Sequence, residues 1–320
     1  MPALTSSTFQ VEVFLSASDI PSPVMEALQG RAVDANCILP SIIKALEGNA
    51  PSVAGQDSKQ FWIVCSSGRD VELVLSCTNN VIDTYPIFIV SLRQLSDGYL
   101  RPRIYEMVQK FLTVSPAARV FSIFAPHDVA QIFTQTWYEV TGIKSYPEPY
   151  YAAKLSYCTK DTFNNRSLTY NPAWELRPAE AADLPRVADL CRQFASTSEP
   201  FTLDEEEAYT EAEYLILSGQ VWVHTVSDGR FTDIASIVAF TRNSETNATI
   251  TKVYTNPDMR GMSQGKKSVA LFVAHDNIAA SKVYHNVGFV GLAGPSHSGS
   301  VAPSWTEVGF DESKVVLGHW

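Results

Sequence analysis

Two stretches of this 320-residue chain carry the same unit: "IFAPHDVAQIFTQTWYEVTGI" at 123–143 and "LFVAHDNIAASKVYHNVGF" at 271–289. Each opens with an apolar run, passes through His-Asp (127–128 and 275–276) and continues at helical spacing to a glycine. Each sets a tyrosine four residues before that glycine, Tyr138 with Gly142 and Tyr284 with Gly288, and the first copy is two residues longer. A strand and helix bury only one face each and need neighbours. The repeat therefore constrains the chain to two related α/β domains rather than one. The length agrees, since a domain takes roughly 150 residues.

The segments around the repeat read as mixed α/β. In the first half, "FQVEVFL" (9–15), "FWIVCS" (61–66), "DVELVLSC" (70–77), "YPIFIVS" (85–91) and "RVFSIFA" (119–125) predict strands. "SPVMEALQG" (22–30), "LPSIIKALEG" (39–48), "RPRIYEMVQKFL" (101–112) and "DVAQIFTQTWYEVTG" (128–142) predict helices. Prolines 147, 149 and 172, tyrosines and an Asn-Asn pair make 144–173 read as linking sequence, with 151–173 taken as the connector between domains and one short strand in "YYAAKLSYC" (150–158). The domains are then 1–150 and 174–320. The second restarts with the strand "WELRPA" (174–179) and the helices "DLPRVADLCRQFA" (183–195), capped by Asp183, and "LDEEEAYTEAEYLILSG" (203–219). The strands "QVWVHTVSD" (220–228), "IASIVAFT" (234–241), "TITKVYT" (249–255) and "SVALFVA" (268–274) follow. The helix "NIAASKVYHNVG" (277–288) and the strands "FVGLA" (289–293) and "SWTEVGF" (304–310) complete it.

Composition excludes several classes. A formal net charge of -10 disfavours nucleic acid and a polybasic membrane anchor. Five cysteines without a CxxC, and six histidines without HxxxH or HExxH spacing, leave no metal cluster or disulfide framework to read. The start "MPALTSSTFQVEVF" has no signal-peptide pattern, and no run of about 18 apolar residues exists. A cytoplasmic protein is the default expectation.

The order β, α, α, β, β, β, loop, β, α, β, β over 174–310, with Asn277, Ala280, Val283, Tyr284, Gly288 and Phe289 in the pattern Asn-x-x-Ala-x-x-apolar-Tyr-x-x-x-Gly-Phe, resembles the GNAT acetyltransferase superfamily. The first half resembles a worn copy of the same fold, as in tandem GNAT-like proteins of fungi. The resemblance implies two tandem α/β mixed-sheet domains, the first degenerate. It implies acetyl-CoA as co-substrate and a small-molecule or peptide amine as acceptor. The backbone of Val253, Tyr254 and Thr255 would pair with the pantetheine amides, Asn277 and Ala280 would lie along the cofactor arm, and Tyr284 would protonate the leaving thiolate. Glu245 or His224 would serve as general base. Read from the residues alone, Asn277 is equally a helix N-cap and Tyr284 equally a core tyrosine. The run "DEEEAYTEAE" (204–213) is a solvated helix face or a lure for a cationic amine.

The join between the fourth and fifth strands of the second half departs from that family. "DMRGMS" aligns Arg260, Gly261, Met262 and Ser263 with its phosphate loop, but Asp258 puts a negative charge at the first position. Between Ser263 and Val269 there is room for little more than one helical turn at 3.6 residues per turn. The anion site expected at a helix N-terminus is thus curtailed, with Lys266 and Lys267 as substitute charges. Two arrangements satisfy the short join: parallel strands with a bare loop, or an antiparallel hairpin that closes the cofactor cleft. Three functional expectations follow: an N-acetyltransferase of weakened activity, an inactive binding or scaffold module, or a shortened splice form of an active parent.

Overall fold

The alternating and continuous apolar runs fold as strands, and the residues between them decide where each strand goes. The computed structural model describes residues 9–49, 59–164, 173–227, 229–255, 268–292 and 302–320. Two compact units form: Met1–Ala153 with Pro303–Trp320, and Lys154–Ala302.

The first unit contains β1 (Phe9–Phe14), α1 (Ser22–Gly30), α2 (Leu39–Leu46), β2 (Phe61–Ser67), β3 (Asp70–Cys77), β4 (Ile87–Ser91), α3 (Asp97–Val114), β5 (Ser122–Pro126) and α4 (His127–Thr141). Strands β1 to β4 form an antiparallel meander. β5 then joins β4 in parallel, which requires a crossover, and α3 is that crossover. Its apolar positions Ile104, Met107, Val108 and Phe111 recur at helical spacing and are fully buried. They meet Phe61 and Ile63 of β2 and Phe133 and Trp137 of α4 in one core. Phe133 stacks on Trp137 at 5.5 Å and Phe111 meets its edge at 5.8 Å. α3 starts a turn earlier than its sequence pattern suggests, because Pro102 deletes only one backbone bond near the helix start. Across that core Arg103 of α3 donates to Glu72 of β3 at 2.6 Å, and both are buried.

The second unit contains β6 (Tyr151–Thr159), β7 (Trp174–Pro178), α5 (Leu184–Ala195), α6 (Glu205–Leu217), β8 (Val221–Ser227), β9 (Thr232–Ala239), β10 (Arg242–Asn243), β11 (Asn247–Ile250), β12 (Lys252–Thr255), β13 (Ser268–Ala274) and α7 (Ile278–Val287). β12, β9, β8 and β7 make an antiparallel sheet, and β6, β13, β11 and β10 are neighbours in that order. α6 begins with a reciprocal capping box between Asp204 and Glu207. Asp183 sits at the start of α5 but its carboxylate does not cap it. Arg177 holds both oxygens, at 2.6 and 2.9 Å, and keeps the carboxyl below its usual range.

The final strand, β14 (Ser304–Gly309), lies in the first unit, antiparallel to β5 from Trp305↔Pro126 to Gly309↔Ser122. Residues 289–292 form no strand, contrary to the reading of "FVGLA". Gly291 adopts φ 77, which ends an extended run, and Ala302 packs where its side chain would be. Both units set two helices ahead of an antiparallel run and follow a parallel strand pair with a helix, so the architecture is two tandem α/β copies with mixed strand directions. No described helix is long and apolar enough to cross a membrane.

Candidate functional site

Residues 247–255, expected as one strand from 249, form two pieces that choose different neighbours. β11 runs parallel to β13 through four register pairs, from Asn247↔Ser268 to Ile250↔Leu271. β12 instead runs antiparallel to β9, from Lys252↔Ala239 to Thr255↔Ser236. The break is Thr251. Its N–H donates to the Ala239 carbonyl at 2.9 Å, and its hydroxyl accepts from Thr241 Oγ1 at 3.1 Å. The parallel arrangement holds, not the hairpin, and the paired strands part immediately after Ile250 and Leu271. The edge of β12 toward β13 then has no strand partner among the described residues. An unpaired edge is a template for an extended chain carrying amides.

Side chains on one face of β12 hold it in place. Lys252 Nζ lies 2.7 and 2.8 Å from the two Glu211 oxygens and 5.3 Å from the centre of the Phe194 ring. Burial pulls the lysine pKa down, but the Glu211 carboxylate outweighs it and holds the ammonium charged. Tyr254 donates its hydroxyl to Gln193 at 3.2 Å and meets the Phe194 edge. Val253 points to the opposite face and is 39% exposed. Thr255 ends the strand. Arg260, Gly261, Met262 and Ser263, and with them the expectation of a curtailed loop helix, lie outside the described residues.

α7 lies against β13. Asn277 caps it, accepting the Ala280 N–H at 2.9 Å. Ala280, Tyr284 and Val287 pack on a small cluster with Leu271, Val273 and Phe289. Tyr284 meets Phe289 edge-on at 5.5 Å, and burial raises its pKa, so its hydroxyl keeps its proton. The helix stops at Gly288, φ 112, where any side chain would strike the Thr162 carbonyl.

The two candidate bases lie apart from this frame. Glu245 is exposed in the turn before β11, at the end of the strand away from the parting. His224 is buried on β8, edge-on to Trp174 at 5.8 Å, with neither ring nitrogen bonded among the described residues. Burial lowers its pKa. Its register, Leu176↔His224↔Ser236, puts it on the sheet face shared with Val253, two strands from the parting. All five cysteines are buried free thiols. Burial pushes Cys65 and Cys191 up to about 12 and Cys77 to about 11, so these three are not nucleophiles.

Glu211 and Lys252 were hidden within stretches assigned other duties. Glu211 lies in the acidic run, yet it shares the buried stripe Ala208, Glu211, Ala212, Leu215. That spacing marks an inward position.

No protein-family model matches the chain, and no curated protein matches it. Solved structures do. A Drosophila protein aligns over 93% of this chain and 98% of its own, at 10% identity and a TM-score of 0.59. A tandem GNAT protein from the clavulanic acid biosynthesis pathway aligns over 93% and 98%, at 12% identity and a TM-score of 0.46. A GCN5-related N-acetyltransferase from Sphaerobacter thermophilus covers 94% of each chain, at 12% identity and a TM-score of 0.48. At such identities the likeness concerns fold and not chemistry.

Proposed function

We propose that the second unit is an acyl-CoA site of the N-acetyltransferase kind, passing an acetyl group from acetyl-CoA to an amine. The observation that carries this reading is the parallel pair β11 and β13, which parts at Thr251 while β12 is pinned to the opposite neighbour. In this proposal the free edge of Val253, Tyr254 and Thr255 receives the amides of the pantetheine arm. Asn277 already uses its oxygen as a cap, so its amide nitrogen is the atom left to donate toward that arm, beside Ala280. Arg260, Gly261, Met262 and Ser263 contribute what phosphate contact the short join supplies. Acetyl-CoA brings an activated thioester carbonyl for the amine to attack. Tyr284, protonated through burial, then gives its proton to the leaving sulfur. Its neutral state suits His224 to accept a proton through a relay, whereas Glu245 serves only if the acceptor reaches the β10–β11 turn. The acceptor is a small-molecule or peptide amine, and a cytoplasmic setting fits the reading.

One observation favours a second reading, a non-catalytic binding module: both candidate bases stand away from Tyr284, Glu245 exposed at the far end of β11 and His224 two strands from the parting. Calorimetry with acetyl-CoA tests the main proposal. Saturable binding in the micromolar range is expected, and no heat at millimolar cofactor would remove it.

A further inference from the structure

β12 is four residues long and ends its sheet, with β9 as its strand neighbour. The direction of its backbone groups follows from one bond. The Ala239 carbonyl turns toward β12, since it accepts the Thr251 N–H at 2.9 Å. The register sets Lys252 opposite Ala239 and Tyr254 opposite Ile237. Backbone groups alternate sides along a strand, so Lys252 and Tyr254 turn theirs to β9. Val253, with Thr255 at the strand end, turns its N–H and carbonyl to the free edge.

The two residues flanking Val253 are the two whose side chains are tied down. Lys252 reaches Glu211 of α6, and Tyr254 reaches Gln193 of α5. Phe194 meets both, under the Lys252 ammonium and against the Tyr254 ring. Gln193 is itself fixed, its Nε2 donating to Asp189 at 2.9 Å. Arg186 then joins Asp189, at 2.6 Å, to Asp233 of β9, at 3.1 Å. The ties therefore run from β12 through α5 back to β9. This return leg is partly exposed and weak for stability. The Lys252–Glu211 leg is buried, with side chains 11% and 10% exposed. A buried ion pair is a poor source of stability, because apolar side chains of similar volume do as well. It supplies direction instead. One ammonium held by both oxygens of Glu211 fixes the height and twist of β12 against α6.

We propose that Glu211 and Gln193 are positioning residues. Acting through Lys252 and Tyr254, they hold the Val253 N–H and carbonyl at the spacing an extended amide chain on the free edge needs. The identity of that chain rests on the acyl-CoA reading, whereas the clamp does not. The test compares the unaltered protein with two variants. Glu211→Leu/Lys252→Met trades the charges for apolar volume, and Gln193→Leu cuts the other tie. In the free proteins, exchange at the Lys252 and Tyr254 amides is expected to quicken by about tenfold in each variant. The β8 amides and the melting temperature are expected to stay nearly unchanged. Calorimetry is expected to show acetyl-CoA bound roughly tenfold more weakly, the cost of lost preorganisation. Unchanged exchange at those two amides would overturn the proposal, and so would quickened exchange with unchanged affinity. Exchange that quickens equally across β8 would also overturn it, since the residues would then serve only the fold. If the double variant does not fold, Gln193→Leu decides alone. An unaltered protein that binds no acetyl-CoA, with exchange as expected, would remove the acyl-CoA reading and support the clamp.

Discussion

At the scale of single residues, Tyr284 and Asn277 each carry two duties that the local pattern cannot separate. The sequence places both at the right helix positions. Whether a tyrosine on that face is mortar or acid depends on what lies beyond its hydroxyl, and local spacing does not encode that. The structure shows the ring packed on Phe289 and the sheet, with the pKa raised by burial. The packing belongs to the ring and the chemistry to the hydroxyl, so the two can be divided by experiment. Tyr284→Phe is expected to leave the melting temperature nearly unchanged. It is expected to lower kcat for acetyl transfer to any amine that is turned over by about 10²-fold, the usual reach of a positioned acid. A fall in stability with unchanged kcat would assign Tyr284 to the core alone.

At the scale of elements, the informative event is the division of 247–255. The run "TITKVYT" is β-prone throughout, and its alternation was legible as a strand. The break was not, because Thr251 is an ordinary strand residue and the switch of partner is made by distant groups: Ala239, Thr241 and Glu211. The strand "FVGLA" failed for a local reason, the left-handed Gly291, which a glycine in a strand pattern leaves open. The Lys252–Glu211 pair makes the anchoring of β12 measurable. Glu211→Leu alone strands a buried ammonium and is expected to cost about 3–5 kcal/mol in urea unfolding. Adding Lys252→Met, which removes that charge and restores apolar volume, is expected to recover most of the loss. If the double variant is as unstable as the single one, the pair does not act as a unit.

At the scale of the whole molecule, the repeat told more than any single element. It announced two α/β copies, and each unit holds a parallel pair of strands. In the first unit β4 and β5 pair only at Ile87↔Ile123 and Phe88↔Phe124, with the long helix α3 between them. In the second the pair is longer, from Asn247↔Ser268 to Ile250↔Leu271, and the chain leaving β11 passes through β12. The return of β14 to β5 was illegible, since "SWTEVGF" states a strand but not its partner nearly 180 residues away in the chain, a separation set by the pairing Trp305↔Pro126. The chain thus offers two partings of parallel strands, one beside the Trp320 indole and one with an open edge. We propose acyl-CoA for the second. Hydrogen exchange of the whole chain with saturating acetyl-CoA tests that assignment most directly. Protection is expected at the amides of 252–255 and at the start of α7, with 87–91 and 122–126 unchanged. Protection confined to 87–91 and 122–126, or none anywhere, would contradict it.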